Sequence, residues 1–103
     1  MHFGPDGAEL TLMEWCEMFE ARHGDMSPDS WWRRTTEISD EIRVSTVWLG
    51  LNHRWSPGPP LIWETMIFGG EHDDCQWRYS TRQSALDDHE RIVAAIRAGK
   101  DPE

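Results

Sequence analysis

The stretch RVSTVWLGLNHRWSPGPPLIWETMIF, residues 43–68, decides the fold. Its two ends, residues 43–51 and 61–68, are rich in β-branched and aromatic residues, the composition of strands. Both ends are apolar on both faces, which marks them as central strands of a sheet. Between them NHRWSPGPP carries three prolines and a glycine, so residues 52–60 read as a loop.

Working outward, residues 31–38 (WWRRTTEI) have the same strand chemistry and are cut from the central pair by the polar break Asp40–Glu41. On the other side GGEHDD, residues 69–74, reads as a turn, and CQWRYS, residues 75–80, as a fourth strand. Helices flank the strands. Thr11 and Glu14 have capping-box spacing, in which the hydroxyl and the carboxylate each serve an orphan N–H. Leu12, Trp15, Cys16, Phe19 and His23 then follow one helical stripe, with Gly24 as a stop and Pro28 in the turn beyond. The last helix starts at Ser80 or Thr81 and runs to about Ala98. Its apolar stripe is Ala85, Leu86, His89, Ile92, Val93 and Ile96, with acids early, Arg97 and Lys100 late, and Gly99 as its cap.

The order is α-β-β-β-β-α. Short connections favour an antiparallel meander, so the expectation is a two-layer α+β domain over residues 10–99, with both helices on one sheet face. Residues 1–9 and 100–103 read as tails. Pairing Leu51 with Leu61 places Val47, Leu49, Leu61, Trp63 and Ile67 on one face. It places Val44, Thr46, Trp48, Gly50, Ile62, Glu64, Met66 and Phe68 on the other. A slip of one residue re-sorts every side chain.

Seven tryptophans in 103 residues predict some aromatic surface, because Trp is rarely buried completely and is enriched at interface centres. The net charge is −9, with seven acids against one base in residues 1–30. That balance disfavours binding to nucleic-acid phosphates and points toward basic protein surfaces. Two cysteines are too few for a disulfide framework, no secretory leader is visible, and no apolar run approaches membrane-helix length. The default compartment is the cytosol, with both thiols reduced.

The candidate contact residues are Trp48, His53, Arg54, Trp55, Glu64 and Arg78. His53, Arg54 and Trp55 sit on a proline-stiffened loop, which lowers the entropic cost of presenting them. Glu64 interrupts an apolar strand and needs a partner if buried; Arg33, Arg34 and Arg78 lie on neighbouring strands. Glu71, His72, Asp73, Asp74 and Cys75 are possible ligands, but the run lacks metal-site spacing and reads as a solvated turn. His23, His89 and Cys16 lie on apolar stripes and read as core residues. No metal site, cofactor motif or catalytic signature is expected.

VSTVWLGLNHRWSPGPPLIWETMIFGG (residues 44–70) and WRYSTRQSALDDHERIV (residues 77–93) resemble small bacteriophage and prophage accessory proteins of actinobacterial type. In that group a GLDH-like strand end leads through a Gly-Pro-Pro loop to an ETM-containing strand, then an ERYST-like strand and a helix. Here the first motif stands as Gly50, Leu51, Asn52 and His53, with Asn where the group has Asp, which weakens an acid–base role there. The resemblance carries no activity and implies a phage origin.

The expectation is a noncatalytic accessory protein of the host cytosol that binds and modulates a host or defence protein through a Trp/Arg-rich surface. One alternative is a virion or assembly component that self-associates, for instance as a homodimer, through an open sheet face. Another is a small enzyme or ligand-binding domain centred on His53 and Glu64.

Overall fold

A computed structural model describes residues 2–25, 27–52 and 58–103, with His23 as backbone only. The loop residues His53, Arg54 and Trp55 lie outside the described residues, as does the His23 side chain. In chain order the elements are strands β1 (His2–Phe3) and β2 (Glu9–Leu10), helix α1 (Leu12–Ala21) and a 3-10 turn (Arg22–Gly24). Then come β3 (Arg33–Glu37), β4 (Arg43–Trp48), β5 (Trp63–Phe68), β6 (Gln76–Tyr79) and helix α2 (Arg82–Arg97).

The expected α+β arrangement is present. Strands β3-β4-β5-β6 form one antiparallel meander in sequence order, flanked by an N-terminal and a C-terminal helix. The capping box at Thr11 and Glu14 is formed with both bonds, and Thr81 caps α2.

The register differs from the expected one by a single residue. Trp48 pairs with Trp63, Thr46 with Thr65 and Val44 with Ile67. The cause is a bulge: the N–H groups of Leu49 and Gly50 both reach the Ile62 carbonyl, at 2.9 and 3.3 Å. Two residues oppose one there, so pairing counted inward from Leu51 and Leu61 is off by one. Gly50 holds φ at +75°, and a Cβ there would lie 2.2 Å from Trp15 Nε1. The bulge therefore requires glycine.

With this register Val44, Thr46, Trp48, Trp63, Thr65 and Ile67 face inward, and all are buried. Helix α2 covers them with Ala85, His89, Ile92 and Val93. Two apolar clusters result. One gathers Phe3, Trp32, Trp48, Ile62, Trp63 and Ala85; the other gathers Val44, Ile67, Ile92 and Val93. Thr46, Thr65 and His89 are fully buried polar residues in the same layer. Thr46 Oγ1 lies 2.6 Å from Thr65 Oγ1 and 2.8 Å from His89 Nδ1, while His89 Nε2 lies 2.9 Å from Thr36 Oγ1. Both imidazole nitrogens thus have partners, and His89 is the satisfied core histidine that its place on the stripe suggested.

The N-terminus departs from the expected tail. Strands β1 and β2 pair as a hairpin, and the Phe3 N–H donates to the Gly50 carbonyl at 2.7 Å. Helix α1 buries no residue of its own, instead of sharing the sheet face with α2. It leans on the hairpin and on one end of β4: Trp15 stacks on Phe19, whose ring lies 6.1 Å from Trp48. Arg22, below α1, sits 3.8 Å from the Phe19 ring and donates to the Trp48 carbonyl at 3.3 Å. Cys16, expected in the core, is exposed. At the other end of the chain Arg91 donates to the carbonyl of the buried Pro102 at 2.6 Å, tying down residues beyond α2.

Candidate binding surface

The six described tryptophans do not build an aromatic face. Among the six described, none is exposed. Four use the indole N–H to tie distant backbone together. Trp15 donates to Leu49, Trp32 to Asp25, Trp48 to Phe3 and Trp63 to Pro5, at 3.2, 2.7, 2.9 and 3.1 Å. The surplus of Trp is therefore architectural: each ring fills core volume while its polar edge fastens a loop or the N-terminal hairpin. Trp48, expected as a contact residue, is 0% exposed and is removed from the surface set. Its parity in β4 points it at α2, which the off-by-one pairing had obscured.

The outward sheet face is built by the alternate residues. One row runs Arg33, Val47, Glu64 and Arg78; a second Thr35, Ser45, Met66 and Gln76; a third Glu37, Arg43 and Phe68. Helix α2 lies on the opposite face, with Val44, Thr46, Thr65 and Ile67. Glu64 and Arg78 pair at 3.1 Å directly across β5 and β6, and Arg78 also reaches Gln76 at 3.4 Å. Glu64 is the more enclosed partner, at 14% side-chain exposure against 39%. The carboxylate that interrupts an apolar strand is thus accounted for by a cross-strand ion pair on the outer face. Arg43 stacks over Phe68 at 4.8 Å, and Phe68 is 38% exposed.

The rows carry three arginines and two glutamates, so this face is net positive on a chain of charge −9. The acids concentrate elsewhere: Glu9, Glu14, Glu17 and Glu20 are exposed on β2 and α1. Sequence reasoning put Glu64, Met66 and Phe68 on one face but joined them to Val44, Thr46 and Trp48, which face inward, and it did not place Arg33 and Arg43 there. The signal was present in the strand alternation and became readable only with the correct register.

The Glu71-to-Cys75 run is a turn in which Asp73 Oδ1 accepts the Gly69 N–H at 2.7 Å and the Cys75 N–H donates to His72 at 3.1 Å. Among the described residues no group of three or more His, Cys, Asp or Glu is placed to hold a metal ion. Asp88 accepts from Tyr79 and Arg91. Burial pushes the Asp88 carboxyl up, yet the bonds from Arg91 and Tyr79 outweigh it and hold the group below its usual value. Burial, then the Asp88 contact, pushes the Tyr79 phenol well above its usual value, so it stays a donor. Among the described residues no helix is long and apolar enough to cross a membrane.

No protein-family model, no curated protein and no solved structure matches this chain.

Proposed function

We propose that this chain is a noncatalytic accessory protein of phage type that docks a host or defence protein on its outward sheet face. The observation that carries the reading is that face itself. Three guanidinium groups (Arg33, Arg43, Arg78) flank Val47, Met66 and Phe68, with no helix laid over them among the described residues. Arginine, methionine and an aromatic ring set among polar residues are residue types enriched at protein interfaces. Its positive sign selects a partner that presents acidic residues around an apolar patch. This replaces the basic partner that the total charge suggested: only two of the 19 acids, Glu37 and Glu64, stand in the rows of the face.

The test is capture of a stable partner by the tagged protein from host lysate, with native mass spectrometry of what co-purifies. Arg43→Glu with Arg78→Glu is the face variant; Arg54→Ala with Trp55→Ala is the loop variant. A stoichiometric host protein that the face variant loses supports the reading. The same protein lost only with the loop variant moves the contact to the loop. Recovery of only a homo-oligomer from every variant overturns host binding in favour of self-assembly.

A further inference from the structure

A second feature lies at the opposite end of the sheet from the tryptophan cluster and is independent of the docking face. The β5–β6 turn folds hard against the start of β4. Gly69 holds φ at +86°, and a Cβ there would lie 1.7 Å from the Glu41 carbonyl oxygen. Across from this turn α2 ends in a glycine cap: Gly99 takes φ of +71°, and the Lys100 N–H donates back to Ala95 at 2.8 Å. Between turn and cap lies a recess of about 140 Å³. Ile42, Ile67 and Ile96 line it, and Glu71, His72 and Lys100 complete its wall.

Size and charge together narrow the occupant. A cavity of about 150 Å³ holds benzene, so the recess accommodates a group of roughly six heavy atoms. Nucleotides and drug-sized ligands need roughly 300–1,000 Å³ and are too large. The isoleucines call for an aliphatic group. The wall brings one carboxylate, one ammonium and one imidazole. A simple anion would meet Glu71 as a like charge, and a simple cation would meet Lys100. A zwitterion meets both with opposite charges.

We propose that this recess binds an aliphatic α-amino acid. The branched side chain sits on the partly exposed Ile42 and Ile96, with Ile67 buried behind them; the ammonium faces Glu71, and the carboxylate faces Lys100 and His72. The ion pairs are near solvent and contribute little each. Affinity therefore falls near the millimolar range, with Kd of about 0.1–5 mM.

The experiment is a two-dimensional amide NMR titration of the whole chain with L-leucine, N-acetyl-L-leucine and L-leucinamide. The last two each lack one charge, which separates a free amino acid from the end of a peptide. L-Leucine is expected to give saturable shifts at the amides of Gly69, His72 and Gly99. Each capped form, and each of Glu71→Gln and Lys100→Gln, is expected to weaken binding about fivefold or more. These rim changes leave the isoleucine floor in place, and an unchanged thermal transition confirms that the variants fold. No saturable shift with L-leucine up to ~20 mM overturns the site, since weaker binding lies outside the range argued. Full affinity for either capped form overturns the zwitterion assignment. Wild-type affinity in either rim variant overturns the placement of the charges.

Discussion

One buried hydroxyl, that of Thr46, serves both Thr65 and His89. Thr46→Val keeps the shape and removes that hydroxyl, stranding His89 Nδ1, while the Thr65 hydroxyl keeps a side-chain hydrogen bond to Tyr79. An unsatisfied buried group costs about 1–3 kcal/mol, so the expected loss is about 1–3 kcal/mol in denaturant unfolding. A loss below about 0.5 kcal/mol would show that the bonds are replaced, for example by water. His89 adds a pH dependence. Burial holds its imidazole below the usual value of 6.5; Glu90 and Asp29 push it up and Arg34 pushes it down. The unfolded chain therefore takes up a proton on this residue before the folded chain does. Stability from the neutral ring is complete above pH 6.5 and falls away as pH drops toward the folded-state value. Urea midpoints taken between about pH 7.5 and 5 are expected to fall, and His89→Gln, which retains hydrogen-bonding capacity, flattens the fall. An identical slope in His89→Gln would assign the effect to other groups.

The two helices have the same kind of N-cap and different dependence on the core. Thr11 caps α1, which buries none of its own residues; Thr81 caps α2, which buries Ala85, His89, Ile92 and Val93. Leu12 and Met13 of α1 are 61% and 73% exposed. Each Thr→Ala change removes about 1 kcal/mol from its helix. Because α2 is integral to the core, Thr81→Ala is expected to lower global stability by that amount. Thr11→Ala is expected to speed amide exchange in α1 with little change in the global midpoint. Equal global losses from both would show that α1 unfolds only with the rest. At this scale the sequence was most legible. Caps, strand order and α2's stripe are local signals, written in hydroxyls, glycines and 3.6-residue periodicity, and they appear where expected. Pairing across strands is not local. The Gly50 bulge depends on Trp15 and Trp48 meeting the same backbone, and no periodicity within β4 or β5 announces it. The hairpin of β1 and β2 was missed for the same reason. GPDGA, residues 4–8, reads as a tail until the Trp48 and Trp63 indoles find carbonyls in residues 3 and 5.

For the whole molecule, charge is unevenly placed. The outward sheet face, with three arginines against two glutamates, is opposite in sign to the chain's net charge of −9, and the sequence could not place that face without the register. Arg78 and Glu64 form an outer-face pair of the kind that contributes about 0–1 kcal/mol, so reversing Arg43 and Arg78 to Glu leaves the core intact. The variant sets one glutamate opposite Glu37 and another opposite Glu64, so it is expected to lose about 1–3 kcal/mol of stability while still folding. Against a captured acidic partner it is expected to associate at least about tenfold more slowly, because approach to the face becomes repulsive. Wild-type association slows as salt rises from about 50 to 300 mM, since exposed charges are screened beyond a Debye length of about 6–14 Å. The reversed variant is expected to show the opposite trend, its repulsion being screened instead. Surface-plasmon association rates across that salt series read both signs in one experiment. If wild type and variant have equal rates and the same salt slope, the partner does not meet the sheet through these arginines. Contact then has to be sought on the acidic α1 surface, where salt would act on wild type and variant alike through Glu14, Glu17 and Glu20, which both retain.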